Sequence, residues 1–274
     1  MAMVINTNMG AINASRILEG SQKDQSTAME RLTSGLRINK AADDAAGLAV
    51  ATGMTTQIRG TDQAIRNAND GMALIQTQDG AMEEVVNMLQ RMRELGVQSL
   101  NGTYNAENRN QMDAEFDQLQ KEILRVGQTT KYNEVGVMNG SVAVVSLHVG
   151  WEGGSDNKIY ISTYNVSDLG ASLAARDVTT VANASLAIAS IDGALSNIGT
   201  IRAKWGALQN RLDYTVSNLA NVNENMNGAR SQIQDADFAR ESAQLARTQV
   251  LQQAGMAMLG QANQQSQNVL SLLR

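Results

Sequence analysis

Apolar residues recur at three- and four-residue steps along most of this chain, and the step shortens to two only in its middle. From Ile5 through Met9 and Ile12, and again from Met29 through Leu32 and Leu36, the spacing predicts helix with one buried stripe. Further on, Ile58, Ile65 and Met72 stand seven apart with Thr61, Ala68 and Ile75 interleaved, and Met82, Val85, Leu89 and Met92 follow. That is a coiled-coil seam, with a phase slip expected near Gln78. Unbroken from Met54 to Leu100, such a helix is roughly 70 Å long at about 1.5 Å per residue, too long for a compact globule.

Asn101-Gly102-Thr103 supplies turn chemistry, Asn105 is a candidate N-cap, and Met112, Phe116, Leu119, Ile123 and Val126 line the next helix face. So short a turn predicts an antiparallel helix pair. A third long helix carries Ile201, Trp205, Leu208, Leu212, Leu219, Val222 and Met226 on one seam, with Thr215 in the remaining slot. From Asp235 to the end, Phe238, Leu245, Leu259 and Leu273 fall at multiples of seven, with Met256 and Leu270 on the companion row.

Between these halves, 141–149 and 158–166 are rich in β-branched and aromatic residues and read as paired strands. Gly150 to Asn157 has the glycine and Asp/Asn content of a hairpin loop, and Gly170, Ser172 and 177–180 read as loop before helix resumes. The fold class is therefore mainly α: a long antiparallel coiled-coil helical bundle built from both chain ends, with a small β-hairpin insertion in the middle. Three regions are expected: 1–42 with 236–274 as paired terminal helices, 43–139 with 180–235 as a long-helix bundle, and 140–179 as the hairpin and loop insertion.

Charge sharpens the reading at both ends. The first charged side chain is Arg16, and none occurs between Arg247 and Arg274. A terminus has few neighbours to repay the entropy of ordering it, so uncharged, apolar-patterned ends are expected to bury against partners. The chain has no proline, where about 14 are expected at an average usage of about 5%, and this favours long uninterrupted helices. Cysteine is absent too, which excludes disulfides and thiolate chemistry. A net charge of -5 without a dense basic run argues against nucleic acid. The opening residues lack the basic region and continuous apolar core of a cleavable signal peptide, so export is expected to take another route. The uncharged stretch from Thr248 to Leu273 could span a bilayer by length, but its many Gln and Asn side chains argue against membrane insertion.

Catalytic chemistry has little to stand on. His148 is the single histidine, so neither a two-histidine zinc motif nor an independent Ser-His-Asp arrangement is expected. Asp43-Asp44 is an isolated acidic pair beside Lys40, assigned to helix capping and subunit ion pairs, and Gly150 to Gly154 lacks the Lys-Ser/Thr of a phosphate loop. No catalytic residue, metal site or cofactor is expected, and the chain is not expected to be an enzyme. Sequons beginning at Asn13, Asn101, Asn139, Asn165 and Asn183 are common by chance in so Asn- and Ser-rich a sequence.

Residues 31–50, from Arg31-Leu-Thr-Ser-Gly-Leu-Arg to Ala42-Asp-Asp-Ala-Ala-Gly-Leu-Ala-Val50, closely resemble the signature of bacterial flagellin, and Ile5-Asn-Thr-Asn8 resembles its opening. The tail resembles the family independently at Ala236-Asp-Phe-Ala239, Leu251-Gln-Gln-Ala-Gly255, Gln261-Ala-Asn263 and Gln267-Asn-Val-Leu-Ser-Leu-Leu-Arg274. The likeness covers residues 1–140 and 185–274. It implies a structural subunit of a helical filament, short in form and with a minimal outer region. In that family, paired terminal helices line the inner tube, and the adjoining long helices form an outer one. Assembly contacts are then expected at Ile5, Met9, Ile12, Leu32, Leu36, Arg37, Asn39, Asp43 and Asp44, and at Leu245, Leu251, Met256, Leu259, Leu270 and Leu273. Two departures stand out: Ser266 replaces a frequent proline, and Tyr132-Asn-Glu134 replaces the usual Phe-Asn-Gly before the hairpin.

The resemblance also implies partners. They are further copies of the chain in a homo-polymer, flagellar cap and hook-associated proteins, and a cytoplasmic export chaperone on the C-terminal helix. The location implied is the extracellular flagellum, reached without a cleaved signal peptide. Gln90-Arg-Met-Arg-Glu-Leu95 matches a strip recognised by the animal flagellin-sensing Toll-like receptor, which makes Arg91, Leu95 and Glu115 candidate receptor contacts; the plainer alternative is that Arg91 and Glu115 are solvated or paired charges and Leu95 is core. A hook-filament junction protein, which caps rather than continues the polymer, is the nearest alternative, and a secreted helical binding module is the alternative from another class.

Overall fold

Six α-helices and two short antiparallel strand pairs make up the fold in this computed structural model, which describes residues 7–272 and side chains through 264. The chain divides into two compact units, one formed by 1–56 with 225–274 and the other by 57–224.

In the first unit, α1 (Met9–Ser34) starts at Asn8, whose side chain accepts from the Ala11 N–H at 3.1 Å, and stops at Gly35. Gly35 adopts φ 71°, a left-handed conformation that favours glycine, and its N–H closes on the Arg31 carbonyl at 2.9 Å. Against α1 lies α6 (Phe238–Leu272), antiparallel to it. The Asn8 side chain donates to the Ala262 carbonyl at 3.0 Å, Ser21 Oγ donates to the Thr248 carbonyl at 3.3 Å, and Arg31 pairs with Glu241 at 3.1 Å.

The facing rows are made mostly of small and polar residues. On α1 they are Ala11, Ala14, Leu18, Ser21, Gln25, Ala28 and Leu32; on α6, Leu245, Thr248, Gln252, Gly255, Leu259 and Ala262. Small side chains let the backbones approach, so a Cβ at Gly255 would stand 3.0 Å from Leu18 Cδ1. The predicted stripes therefore need correction. Met9, Ile12 and Met29 on α1, and Phe238 and Met256 on α6, are exposed rather than turned to the partner helix.

After α1 the chain crosses to the end of α5 (Val181–Gln234). Leu36 bridges Asp235, the Arg37 N–H donates to the Gln234 carbonyl at 2.7 Å, and the Ala236 N–H donates to the Gly35 carbonyl at 2.9 Å. Asp44 Oδ1 then accepts from the Gly47 N–H at 2.9 Å in the first turn of α2 (Ala45–Leu100).

The second unit packs α2, α3 (Ala106–Thr129) and α5 around one hydrophobic core. Along α2 the buried positions form two uninterrupted heptad rows, Thr61, Ala68, Ile75, Met82, Leu89, Gly96 and Gly71, Gln78, Val85, Met92, Ser99. No phase slip occurs at Gln78. Its position belongs to the seam, and its Nε2 donates to the Val137 carbonyl at 3.1 Å, so a polar residue occupies a core slot without breaking the helix. Ile65 and Met72, which suggested the other phase, are half-buried beside buried Ala64 and Gly71. On α5, Val222 is likewise exposed, and neighbouring Asn223 turns inward to donate to Asp62. Arg202 grips Asp79 at 2.6 and 3.1 Å, and Arg93 meets Asp192 at 2.7 Å, tying α5 to α2. By length and composition α5 would pass for a membrane span, but these ion pairs and buried Ile191, Ile198 and Trp205 assign it to the helix bundle.

The Asn101–Tyr104 turn and the Asn105 cap form as predicted, with Asn105 Oδ1 accepting from the Asn108 N–H at 2.8 Å. A small hairpin follows, β1 (Lys131–Tyr132) and β2 (Val135–Gly136), joined by Asn133 and Glu134 at φ 48° and 66°. A two-residue turn with both φ positive matches the right-handed twist of its strands, and it normally carries glycine at the second position.

The main hairpin pairs β3 (Val144–His148) with β4 (Lys158–Ser162), placing Val145 opposite Ile161 and Leu147 opposite Ile159. Its inner face lies on α2 at Gly71, where a Cβ would come within 2.0 Å of Leu147 Cδ1. The Trp205 indole N–H donates to the Ser162 carbonyl at 3.0 Å, fastening β4 to α5. Where strand and then loop were expected after Ser162, the chain instead forms α4 (Val166–Ala174), capped by Asn165. Its buried side carries Val166, Leu169, Gly170 and Leu173; nine residues are too few for periodicity to stand out beside β-branched neighbours.

Candidate assembly faces

The exposed sides of α1 and α6 carry an unusual load of large hydrophobics. Met9, Ile12, Ile17 and Met29 on α1, and Phe238, Val250, Leu251, Met256 and Met258 on α6, are each roughly half to two-thirds exposed, with Ile12 at 55% and Val250 at 65%. Scattered exposed apolar residues are normal, but here they concentrate on two paired helices that carry no charge before Arg16 or between Arg247 and Arg274. Intramolecular pairing uses rows of Ala, Ser, Thr, Gly and Gln with Leu18, Leu32, Leu245 and Leu259 among them, and the other large hydrophobics are left facing outward.

This placement divides the residues expected at assembly contacts. Met9, Ile12, Leu251 and Met256 are exposed; Leu32, Leu36, Leu245 and Leu259 are half-buried within the first unit. Ile5 and Leu273, and the side chain of Leu270, lie outside the described residues. Ile17, Val250 and Met258 were not singled out by the sequence reading. The signal was present in the spacing: a row of small residues at heptad steps marks the close-packed side, and the large residues off that row mark the open one.

Beyond α1, Arg37, Asn39, Asp43 and Asp44 occupy a tightly wired loop. Asp43 Oδ2 accepts from the Asn39 and Lys40 N–H groups at 3.0 and 2.9 Å, and these bonds, Lys40's first, hold its carboxyl below the usual carboxylate range. Asn39 Nδ2 donates to Ser34 Oγ at 2.9 Å and to the Leu36 carbonyl at 3.1 Å, and Arg37 donates to the Ile233 carbonyl. Lys40 pairs with Glu30 at 2.7 Å, and that hydrogen-bonded partner raises its pKa. Of the acidic pair, Asp44 caps α2 and Asp43 closes the turn ahead of it. Beneath the loop Ile38 is buried and pins it to the unit.

On the second unit, Arg91 spans α2 and α3. Its Nε lies 2.8 Å from Glu115 Oε1 and its Nη1 3.0 Å from Glu94 Oε2, and the Glu115 hydrogen bond foremost raises its pKa. Both Arg91 and Glu115 keep about half of their side-chain surface. Leu95 differs: at 2% exposure it is a packing residue and presents no surface for a receptor to touch. His148 is half-buried on β3, with its carbonyl accepting from Asn67 Nδ2 at 2.9 Å. Among the described residues no group of three His, Cys, Asp or Glu side chains converges on a point that could hold a metal ion.

Comparison with known proteins bears on what such faces are for. Residues 5–143 match the model of the bacterial flagellin N-terminal helical region, and residues 188–273 match that of the bacterial flagellin C-terminal helical region. The chain is 46% identical over 272 residues to a flagellin of Halalkalibacterium halodurans, covering 99% of this chain and 100% of that protein. It is 40% identical over 290 residues to the flagellar filament 33 kDa core protein of Treponema phagedenis, with 99% and 100% covered. The crystal structure of Bacillus cereus flagellin superposes with a TM-score of 0.51 at 28% identity, covering 56% of this chain and 88% of that one. These relatives bear the names of structural filament proteins rather than of enzymes. With both terminal regions matched and the whole length aligned, the chain belongs to the bacterial flagellin family.

Proposed function

We propose that the chain is the structural subunit of a bacterial flagellar filament and polymerises through the outward sides of α1 and α6, giving a tube that turns rotation into thrust. The observation that carries this is the concentration of exposed large hydrophobics on those two helices, beside ends that lack charge. Burying the exposed part of one such side chain stabilises by about 1 kcal/mol, whereas an unpaired charge there is costly, so an interface between copies accounts for both features. In the assembled tube, 1–42 with 236–274 form the inner core, 43–139 with 180–235 the outer core, and 140–179 the outermost part. Likeness along the full length to filament proteins supports continuing the polymer over capping it at the hook junction.

The subunit acts outside the cell after export. A cytoplasmic chaperone covers the C-terminal helix before export, and cap and hook-associated proteins meet the polymer at its ends. The exposed Arg91–Glu115 pair supports a further reading, that this face is a ligand of the animal flagellin-sensing Toll-like receptor, with Leu95 holding α2 in place beneath it.

Seeded elongation of purified full-length subunit tests the main reading, because a chain lacking 248–274 is expected to stay helical and soluble without elongating. Filaments from that truncate would overturn it. For the receptor, wild-type monomer should activate a reporter cell and Arg91→Ala should not. A silent wild type, or an unaffected variant, would remove the receptor role while leaving assembly intact.

A further inference from the structure

With fourteen methionines and no cysteine, the chain has thioethers as its only readily oxidised sulfur. Met1 and Met3 lie outside the described residues. Among the others, Met82, Met92 and Met138 are fully buried in the second unit and Met112 nearly so. The exposed ones are Met9, Met29, Met256 and Met258, at 65, 50, 54 and 62%, and all four sit on α1 or α6 outside the rows that pair those helices. Met54 and Met226 of the first unit and Met72 and Met88 of the second are half-buried; oxidation follows exposure, so among the described residues the methionines most open to oxidant all lie in the first unit.

We propose that Met9, Met29, Met256 and Met258 form a redox-sensitive modification site that gates polymerisation of the free subunit. A hydroperoxide transfers one oxygen atom to each sulfur: the O–O bond breaks, an S–O bond forms, the thioether loses two electrons, and the hydroperoxide leaves as the alcohol or water. The sulfoxide is polar and chiral where the thioether was apolar and pliable, and it disrupts methionine-rich interfaces. A sulfoxide dipole carried into a dry contact without a hydrogen-bond partner costs enough to raise the critical concentration at least about tenfold. A dithiol-dependent sulfoxide reductase returns the thioether and water, so the block is reversible. Once the outward faces are covered in a polymer, the same sulfurs are protected.

This site rests on the assembly reading above, and the test separates the two. Full-length subunit is treated with graded hydrogen peroxide, offered to filament seeds, and separated into incorporated and soluble pools for peptide mass spectrometry. Sulfoxide at the four positions is expected to accumulate in the soluble pool and be depleted from filaments, and reductase treatment is expected to restore elongation. In a variant carrying M9L, M29L, M256L and M258L, the rate of elongation, whatever the four substitutions leave of it, should be the same after peroxide as before. Equal sulfoxide in both pools, or peroxide-treated wild type elongating at the untreated rate, overturns the gate alone. So does a peroxide block that persists in the elongating variant, because it places the sensitive sulfur elsewhere. If the leucine variant does not elongate before treatment, the distribution of sulfoxide between the two wild-type pools decides by itself. Untreated wild type that fails to elongate overturns both the gate and the assembly reading.

Discussion

Ile12→Asp places a charge on the outward side of α1 at a position that contributes little to the fold of the free subunit. Ile12 is 55% exposed and lies off the row that packs on α6, so the monomer should change in stability by no more than about 0.5–1 kcal/mol, mostly through helix propensity. In an interface between copies the cost differs. The lost apolar burial is worth about 1 kcal/mol for the exposed half of an isoleucine, and removing an unpaired carboxylate from water costs several kcal/mol more. Since each 1.4 kcal/mol is a factor of ten, the critical concentration for elongation should rise at least about 100-fold. Leu259 is a poorer site for the same experiment, because it is half-buried within the α1–α6 pair and a charge there would also loosen the monomer. Circular dichroism and thermal melting check that the variant monomer is intact, and pelleting across a concentration series with wild-type seeds gives the critical concentration. An intact Ile12→Asp monomer elongating at the wild-type critical concentration would refute the assignment of this side to assembly.

Other perturbations test the fold beneath that claim. Glu134→Gly relieves a left-handed residue at φ 66°, and after the entropy cost of glycine it should stabilise the β1–β2 turn by about 0.5–1 kcal/mol, read as slower amide exchange at Val137. Trp205→Phe removes the indole donor from the Ser162 carbonyl inside a buried contact and should cost about 2 kcal/mol, seen as roughly 30-fold faster exchange in β4. The Asp43 carboxyl has a folded pKa below its ordinary value of 3.8, so its contribution is present above that value and is lost as pH falls through the lower folded one. The loop at 36–44 should therefore keep its amide shifts from neutral pH down to about pH 4 and lose them only in stronger acid, and Asp43→Asn should flatten that acid response.

Most of the helical architecture was legible because long helices repeat their pattern many times. The Asn101 turn, the Asn105 cap and the β3–β4 hairpin were legible because each has its own local chemistry. What the hydrophobic stripe by itself misassigned was which side of α1 and α6 faces inward. A hydrophobic stripe is ordinarily read as the buried side, yet here Ala11, Ser21 and Ala28 pack while Ile12 and Met29 stay open. That inversion is expected where the larger residues have partners outside the chain. Gln78 misled for the opposite reason: an amide looks like a break in a seam, but a single hydrogen bond to Val137 lets it occupy a core position. Arg91 and Glu115 were legible as surface charges, and Leu95 fell to the core because one strip of sequence winds through both environments on a helix.

The most direct measurement is a cryo-EM reconstruction of polymer grown from the purified full-length subunit. The account predicts a regular helical tube in which Ile12, Ile17, Val250 and Leu251 pack against neighbouring copies while the Ala11–Ala28 side of α1 still packs on α6 of its own chain. A tube that leaves those four side chains facing solvent, or a subunit that forms no tube under seeding, would contradict it.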